Sequence, residues 1–145
     1  MPHIDEELSL KLFVVLSKAY KSLMDSAAKD IRTYGLSPSE FAIMEALYSK
    51  GRYPIQQIGE AILLTSGSMT YNIDKLENKG LLRRVLCQDD RRVVHAEMTE
   101  AGEKLFDHIF PKHRTYIHEV MTGLSSEQKA EAILLLKLLG KGKPG

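Results

Sequence analysis

The stretch that decides the fold is IQQIGEAILLTSGSMTYNIDKLENKGLLRRVLCQDDRRVVHAEMT, residues 55–99. Its first eight residues carry a short helical pattern, and residues 63–80 carry a second one that ends at a glycine. The remainder forms two short strand patterns, 81–87 and 93–99, joined by the charged turn QDDRR. Two helices followed by a hairpin with arginines at its tip predict a winged helix-turn-helix, a unit that places one helix in the DNA major groove.

The composition is that of an ordinary globular domain. The 145 residues are 43% hydrophobic and 27% charged, with one Cys, which argues against disorder and against a disulfide framework. The acidic N-terminus lacks the basic flank of a signal peptide, and the longest apolar run, residues 132–136, is too short to span a bilayer. We therefore expect a cytoplasmic protein that does not interact with membranes.

The charge distribution agrees with the motif. The net charge is only +1, but residues 50–95 hold eight basic and five acidic side chains. Residues 1–49 hold five basic and seven acidic side chains, and residues 96–145 hold seven of each. The excess of positive charge therefore falls on the segment that the motif directs to DNA.

Helical patterns flank this segment on both sides. A long apolar stripe begins at Leu8, and Ser37, Pro38 and Glu40 predict a capping box at the start of the next helix. After the hairpin, we expect Thr99 to cap a helix that is kinked or briefly broken at Pro111. A second capping box, at residues 125–128, precedes the last helix. The side chains expected inside the DNA-binding part are Phe41, Ile43, Met44, Leu47, Tyr48, Ile55, Ile58, Ile62, Met69, Ile73 and Leu76.

The terminal helices predict a homodimer. The last helix contains AILLLKLLG and is apolar nearly all round, and large exposed apolar surfaces usually mark an interface. We expect a mainly α-helical (α+β) fold with a small β-hairpin wing and a dimerisation base made of the N- and C-terminal helices. Residues 1–145 then form one domain, with a DNA-binding part at 37–99 and dimerisation helices at 4–34 and 100–140. The alternative is that these helices pack around one another within a monomer.

Two motifs are similar to those of the MarR family of bacterial transcriptional regulators. TYNIDKLENKGLLRR (70–84) resembles the recognition-helix pattern of the family, and DDRRVVHAEMTEAG (89–102) resembles its wing pattern. Met98 stands where that pattern usually has Leu. The resemblance covers essentially the whole chain. It implies a homodimeric repressor that binds a pseudo-palindromic operator in double-stranded DNA and is released by a small molecule.

Candidate DNA contacts follow from the orientation of the second helix. If Met69, Ile73 and Leu76 face the core, the opposite face presents hydroxyls, a phenol and a lysine, which suit phosphates and base edges. The residues expected at the DNA are Ser66, Ser68, Thr70, Tyr71 and Lys75 on this helix, Gln56 and Gln57 on the preceding one, and Arg91 in the wing. Asp74 is expected to pair with Arg83, Arg84 or Lys75. The alternative is a polar face that meets only solvent.

In the wing, Arg92 matches the minor-groove arginine of the family. The resemblance implies that Asp90, two residues earlier, holds its guanidinium through charge-assisted hydrogen bonds. The alternative is a charged hairpin tip that merely discourages pairing of strand edges.

A ligand site is a further expectation. Tyr20, Phe41, Met44, Tyr48 and His113 could line a pocket between the dimer base and the DNA-binding part, although ordinary core packing would explain most of them. The segments LLTSGSMTY (63–71) and IFPKHR (109–114) are similar to the subgroup that senses quinone-like or other aromatic electrophiles. This similarity implies an aromatic or electrophilic inducer.

No pattern indicates catalysis, a cofactor or a metal site. Nucleotide-binding and nucleophile-elbow motifs are absent, and His108, His113 and His118 are spaced by five residues, which scatters them around a helix. Cys87 has arginines nearby in the sequence, and positive neighbours favour the reactive thiolate form. A thiol-based redox switch through Cys87 therefore stays open, as does a scaffold that binds no DNA.

Overall fold

The computed structural model describes residues 3–62 and 66–141. In chain order these residues form α1 (Ile4–Arg32), α2 (Pro38–Lys50), β1 (Tyr53–Pro54), α3 (Ile55–Ala61), α4 (Ser66–Asn78), β2 (Leu82–Leu86), β3 (Val94–Met98), α5 (Glu100–Val120) and α6 (Ser126–Lys141). The expected fold class is confirmed, because helices dominate and the strands form one small antiparallel sheet.

The hydrophobic core forms where α2, α3 and α4 meet the sheet and the first half of α5. The predicted core side chains Phe41, Ile43, Met44, Leu47, Ile58, Met69, Ile73 and Leu76 are all buried. Phe106 and Ile109 of α5 close the core from the other side. Three predicted core residues are less covered: Ile55 and Ile62 are half-buried, and Tyr48 is 42% exposed.

The sheet has one strand more than the sequence predicted. Its order is β1-β3-β2, with Tyr53 opposite Ala96 and Pro54 opposite His95. The hairpin itself is as expected, with Leu82 opposite Met98 and Leu86 opposite Val94. The short strand β1 therefore attaches the entrance of α3 to the wing.

Capping side chains set the helix starts. The predicted box at α2 is present, since Ser37 Oγ accepts the Glu40 N–H at 3.1 Å and Glu40 Oε1 accepts the Ser37 N–H at 2.9 Å. Ser125 and Gln128 form the same arrangement before α6. Thr99 Oγ1 accepts the Gly102 N–H at 3.1 Å, as predicted for α5.

Of the two outcomes expected at Pro111, the short break does not occur, and the kink stays a prediction. The helix α5 continues from Glu100 to Val120 through this proline, which removes only one backbone donor. Ring contacts with Phe41 of α2 hold both halves, because the ring centre of Phe41 lies 5.2 Å from that of Phe106 before the proline and 4.5 Å from that of His113 after it. Packing on both sides therefore outweighs the local preference for a break.

The terminal helices keep their apolar side chains exposed in the single chain. No described residue of α6 is buried, and its Ile133, Leu134, Leu135 and Leu138 are each more than half exposed. On α1, Leu10 and Phe13 are 70% and 71% exposed. The alternative in which these helices cover one another within a monomer is therefore not the arrangement observed. Among the described helices, none combines the length and the apolar character needed to cross a membrane.

Candidate nucleic-acid interface

Helix α4 has one face in the core and one in solvent. Met69, Ile73 and Leu76 are at most 2% exposed, which confirms the predicted orientation. On the outer face, Thr70 is exposed, and Tyr71 is 62% exposed. Lys75 is half-buried, and its Nζ lies 5.1 Å from the centre of the Tyr71 ring, a cation–π distance. The outer face thus offers a phenol and an ammonium side by side.

The N-terminal turn of α4 contains a polar contact that the sequence did not suggest. Asn72 is 6% exposed and donates from Nδ2 to the Ser68 carbonyl oxygen at 2.8 Å. Ser68 itself is half-buried. Ser66 begins the helix, but its side chain and the alternative cap Thr65 lie outside the described residues.

The wing tip joins Arg92 to Asp90. The Arg92 Nε and one terminal nitrogen lie 3.1 and 3.3 Å from the two Asp90 carboxylate oxygens, and the Arg92 backbone N–H donates to Oδ1 at 3.0 Å. Hydrogen bonds from the Arg92 side chain and then its backbone lower the pKa of Asp90. The Arg92 side chain is nevertheless 91% exposed. Arg91 is also exposed, and it has no ion-pair partner within residues 3–62 and 66–141.

A groove of about 450 Å³ lies between α3, α4 and the wing. It is lined by Pro54, Ile55, Gln56, Gln57, Thr70, Arg84, Arg92, Val93 and Val94. Four of the predicted DNA contacts, from three separate elements, therefore share one concave surface. Ser68, Tyr71, Lys75, Asp90 and Arg91 do not line this groove.

Ion pairs occupy several basic side chains of residues 50–95. Arg84 binds Asp74 at 2.8 Å and also Glu77, which confirms one of the predicted partners of Asp74 and ties β2 to α4. Arg83 and Arg52 bind Glu97 at 2.7 and 3.0 Å. Their hydrogen bonds, that from Arg83 first, lower the pKa of Glu97. These arginines stabilise the wing. Arg92 is also paired, with Asp90, but its side chain is 91% exposed and stays accessible to a polyanion, as do Lys75 and Arg91.

A further ion pair, just beyond the C-terminal end of α4, was not predicted from the sequence. Lys79 Nζ lies 2.7 Å from Glu40 Oε2, and Glu40 is only 2% exposed. Burial alone would raise the pKa of Glu40, but hydrogen bonds from Lys79 and from the Ser37 backbone outweigh it and lower that pKa. Nothing in the sequence indicated this pair, because Glu40 was already explained by its place in the capping box of α2.

The five residues suggested for a ligand pocket separate into two groups. Phe41 and Met44 are core residues, at 3% and 0% exposure, whereas Tyr20 on α1 is 64% exposed. His113 is half-buried, with Nδ1 3.3 Å from Asp30 Oδ2. Tyr48 donates a hydrogen bond to Asp107, which raises the pKa of Tyr48. Only Tyr48 of the five lines the cavity of about 270 Å³ between α2, β3 and α5.

Cys87 lies just beyond β2, half-buried, with its N–H bonded to the Val93 carbonyl oxygen at 3.1 Å. Within the described ranges, no three His, Cys, Asp or Glu side chains are grouped so that they could hold a metal ion.

The chain is similar to named regulators along most of its length. The family model described as MarR family matches residues 36–94. The chain is 51% identical over 134 residues to the HTH-type transcriptional regulator MhqR of Bacillus subtilis (strain 168), covering 92% of both proteins. It is 40% identical over 134 residues to the uncharacterized HTH-type transcriptional regulator YkoM of the same organism, covering 92% of this chain and 87% of YkoM.

The fold is shared with a solved structure of lower sequence identity. AbsC, a MarR family transcriptional regulator from Streptomyces coelicolor, superposes with a TM-score of 0.82 at 23% identity, covering 95% of this chain and 93% of AbsC.

Proposed function

The chain belongs to the MarR family of DNA-binding transcriptional regulators, and we propose that it is a homodimeric repressor of a pseudo-palindromic operator. Its partner is double-stranded DNA, so it would act in the cytoplasm. The family relatives are named as regulators, and we propose no catalytic activity and no cofactor for this chain.

The observation that carries the proposal is the groove between α3, α4 and the wing. Gln56, Gln57, Thr70 and Arg92 line it together, although they come from three elements. A helix in the major groove beside a hairpin on the neighbouring minor groove needs this arrangement. We assign base and phosphate contacts on α4 to Ser66, Ser68, Thr70, Tyr71 and Lys75.

In the wing, Arg92 is proposed to enter the minor groove while Asp90 fixes its guanidinium plane. Arg91 is proposed to bind a phosphate, as are Gln56 and Gln57 at the start of α3. An arginine that is 91% exposed yet held by two hydrogen bonds to one carboxylate is already ordered before DNA arrives. Such preorganisation reduces the entropy lost on binding.

The dimer would use residues 4–34 and 100–140, leaving 37–99 for DNA within a single domain. The exposed leucines of α6 and the exposed apolar residues of α1 support this division, because a single chain leaves them in water. A two-fold axis would then present the two copies of α4 about 34 Å apart, one turn of DNA.

A small aromatic or electrophilic molecule is proposed to release the DNA. It must prefer a dimer geometry in which the two α4 helices no longer match the half-site spacing. Of the residues suggested for its site, Tyr20, Tyr48 and His113 have accessible surface, whereas Phe41 and Met44 contribute to the core beneath them.

The test is a fluorescence anisotropy titration. A duplex enriched by the protein from a randomised pool is compared with a shuffled duplex of the same composition, each at several salt concentrations. We expect tighter binding to the enriched duplex and a salt-dependent affinity for both. A protein that enriches no sequence from the pool, and that shows no salt-dependent binding to a duplex of arbitrary sequence, would support the scaffold alternative.

A further inference from the structure

The connection between α1 and α2, residues 33–37, is fixed from the side of the terminal helices. The Tyr34 hydroxyl donates to the Asp30 carboxylate, with both oxygens at 3.1 Å. His113 of α5 lies 3.3 Å from the same carboxylate, and the side chains of Asp30 and His113 are only 13% and 12% exposed. Burial and then the hydrogen bond with Asp30 raise the pKa of Tyr34 to about 12. On this side, Tyr34, Asp30 and His113 therefore form one largely buried polar network that joins the connection to α1 and α5.

The same connection is fixed from the side of α4 by Lys79, which lies one residue beyond the end of that helix. Lys79 Nζ donates to Glu40 Oε2 at 2.7 Å and to the Gly35 carbonyl oxygen at 3.2 Å. The other oxygen of Glu40 accepts the Ser37 N–H at 2.9 Å. One ammonium thus joins the C-terminal end of α4 to the middle of the connection, at Gly35, and to the first turn of α2, at Glu40.

We propose that Lys79 and Glu40 are positioning residues for DNA binding, because they set the orientation of α4 relative to α1. The inference rests on the proposed function. It identifies the pair of Lys79 and Glu40 as the contact that sets the distance between the two α4 helices of the dimer, and thereby the preferred spacing of the half-sites. In a dimer built on α1, any tilt of α4 relative to α1 changes the distance between the two recognition helices. Apolar contacts are non-directional, whereas an ammonium held by two acceptors defines a position.

The ion pairs between α4 and the wing do not fix the orientation of α4 relative to α1, whereas the contacts of Lys79 do. Arg84 ties β2 to Asp74 and Glu77 of α4, so the helix and the wing are linked to each other. Lys79 and Glu40 instead link α4 to the connection and, through Tyr34 and Asp30, to α1. Losing the pair would let α4 and the wing change their tilt relative to α1 together, because the ion pairs between α4 and the wing would stay intact.

The experiment uses the full chain and the enriched and shuffled duplexes, with copies of the enriched duplex that have one base pair inserted or removed between its half-sites. Four variants are compared with wild type: Glu40→Gln, Lys79→Met, the double variant that combines these two, and Lys79→Arg. Ser37 and Lys79 donate to different oxygens of Glu40, and glutamine replaces one of these acceptors with a donor NH2 group, so it cannot keep both contacts. Because Glu40 is buried, its variant cannot act through a lost DNA contact. All titrations are made well below each melting temperature, with the active fraction measured.

We expect Glu40→Gln and Lys79→Met each to weaken binding to the enriched duplex by roughly 2- to 30-fold. Binding to the shuffled duplex should change by less than about twofold, and the preference for one half-site spacing should flatten. The double variant should bind like the weaker single variant, because the two residues act as one unit. Lys79→Arg should retain most of the wild-type behaviour. The control Lys104→Met, which breaks the exposed pair of Lys104 with Glu100 at 3.1 Å on α5, should change none of these quantities.

Three outcomes would overturn the inference. Folded Glu40→Gln and Lys79→Met proteins with wild-type affinity and spacing preference would show that the pair serves stability alone. A Lys79→Met protein weakened equally on both duplexes, beside an unaffected Glu40→Gln protein, would make Lys79 a direct phosphate contact. A wild-type protein that binds no duplex would instead refute the proposed function, and this inference with it.

Discussion

At the scale of single residues, Arg92 offers the most direct test of the wing. Arg92→Ala should weaken binding to the enriched duplex by roughly 1–3 kcal/mol. Its melting temperature should stay unchanged, because the side chain is 91% exposed and bonded only to Asp90. Lys104→Ala removes the same charge from an exposed position on α5, away from the wing, and serves as the control, for which we expect unchanged affinity. Equal affinities for Arg92→Ala and wild type at fixed salt would remove Arg92 from the interface.

Gly102 is required by the junction between β2 and α5. A Cβ added there would lie 2.0 Å from the Leu81 carbonyl oxygen, a backbone atom that also accepts the Thr99 N–H at 3.1 Å. Gly102→Ala should therefore lower the free energy of unfolding by about 1–3 kcal/mol or more, measured by urea denaturation. Gly123, which has open space around it, provides the matched control, since Gly123→Ala should change stability by no more than about 0.5 kcal/mol. Equal stabilities of the two variants would contradict this packing.

Glu40 makes stability depend on pH. Because its pKa is lowered from 4.5 in the folded chain, the unfolded chain binds more protons in this range and stability rises with pH. The contribution of the carboxylate is fully present above about pH 4.5 and is lost as the pH falls through the lowered value. Glu40→Gln should therefore show a flatter decline of unfolding free energy between about pH 5 and pH 3 than wild type. Parallel curves would contradict the assignment.

At the scale of elements, the orientation of α4 predicts three different phenotypes. Lys75→Ala should weaken binding to all sequences alike and reduce the salt slope by about one. Tyr71→Ala should change the preferred bases with little effect on non-specific binding, whereas Ile73→Ala should destabilise the fold by roughly 2–5 kcal/mol through a cavity. A strongly destabilised Tyr71→Ala protein beside a stable Ile73→Ala protein would mean that the helix is rotated.

Element periodicity explains which features could be predicted. Met69, Ile73 and Leu76 recur at helical spacing, so the buried face of α4 can be predicted from a short stretch of sequence. Strand β1 has two residues, too few to show any alternation. The pairing of Glu40 with Lys79 joins positions 39 residues apart, and nothing in the sequence relates them. Gln56, Gln57, Thr70 and Arg92 line one groove because the motif fixes the order of α3, α4 and the wing; their contacts with DNA stay a prediction.

At the scale of the whole molecule, the apolar side chains of α6 have no packing partner within the single chain, because no described residue of this helix is buried. Removing residues 125–145 takes away the exposed apolar residues Ile133 to Leu139 and should yield a monomeric or aggregated protein, measured by analytical ultracentrifugation. Binding to a full operator should be lost, because each half-site alone is weak. A stable truncated dimer with full affinity would place the dimer base elsewhere.

We propose that two copies of this chain present their α4 helices and wings to two half-sites. Native mass spectrometry of the wild-type protein with the enriched duplex, together with its affinities for the full duplex and for one half-site, tests this arrangement. We expect two chains per duplex and an affinity for the full duplex roughly 100-fold or more above that for one half-site. One chain per duplex, with equal affinity for the full and the half-site DNA, would contradict it.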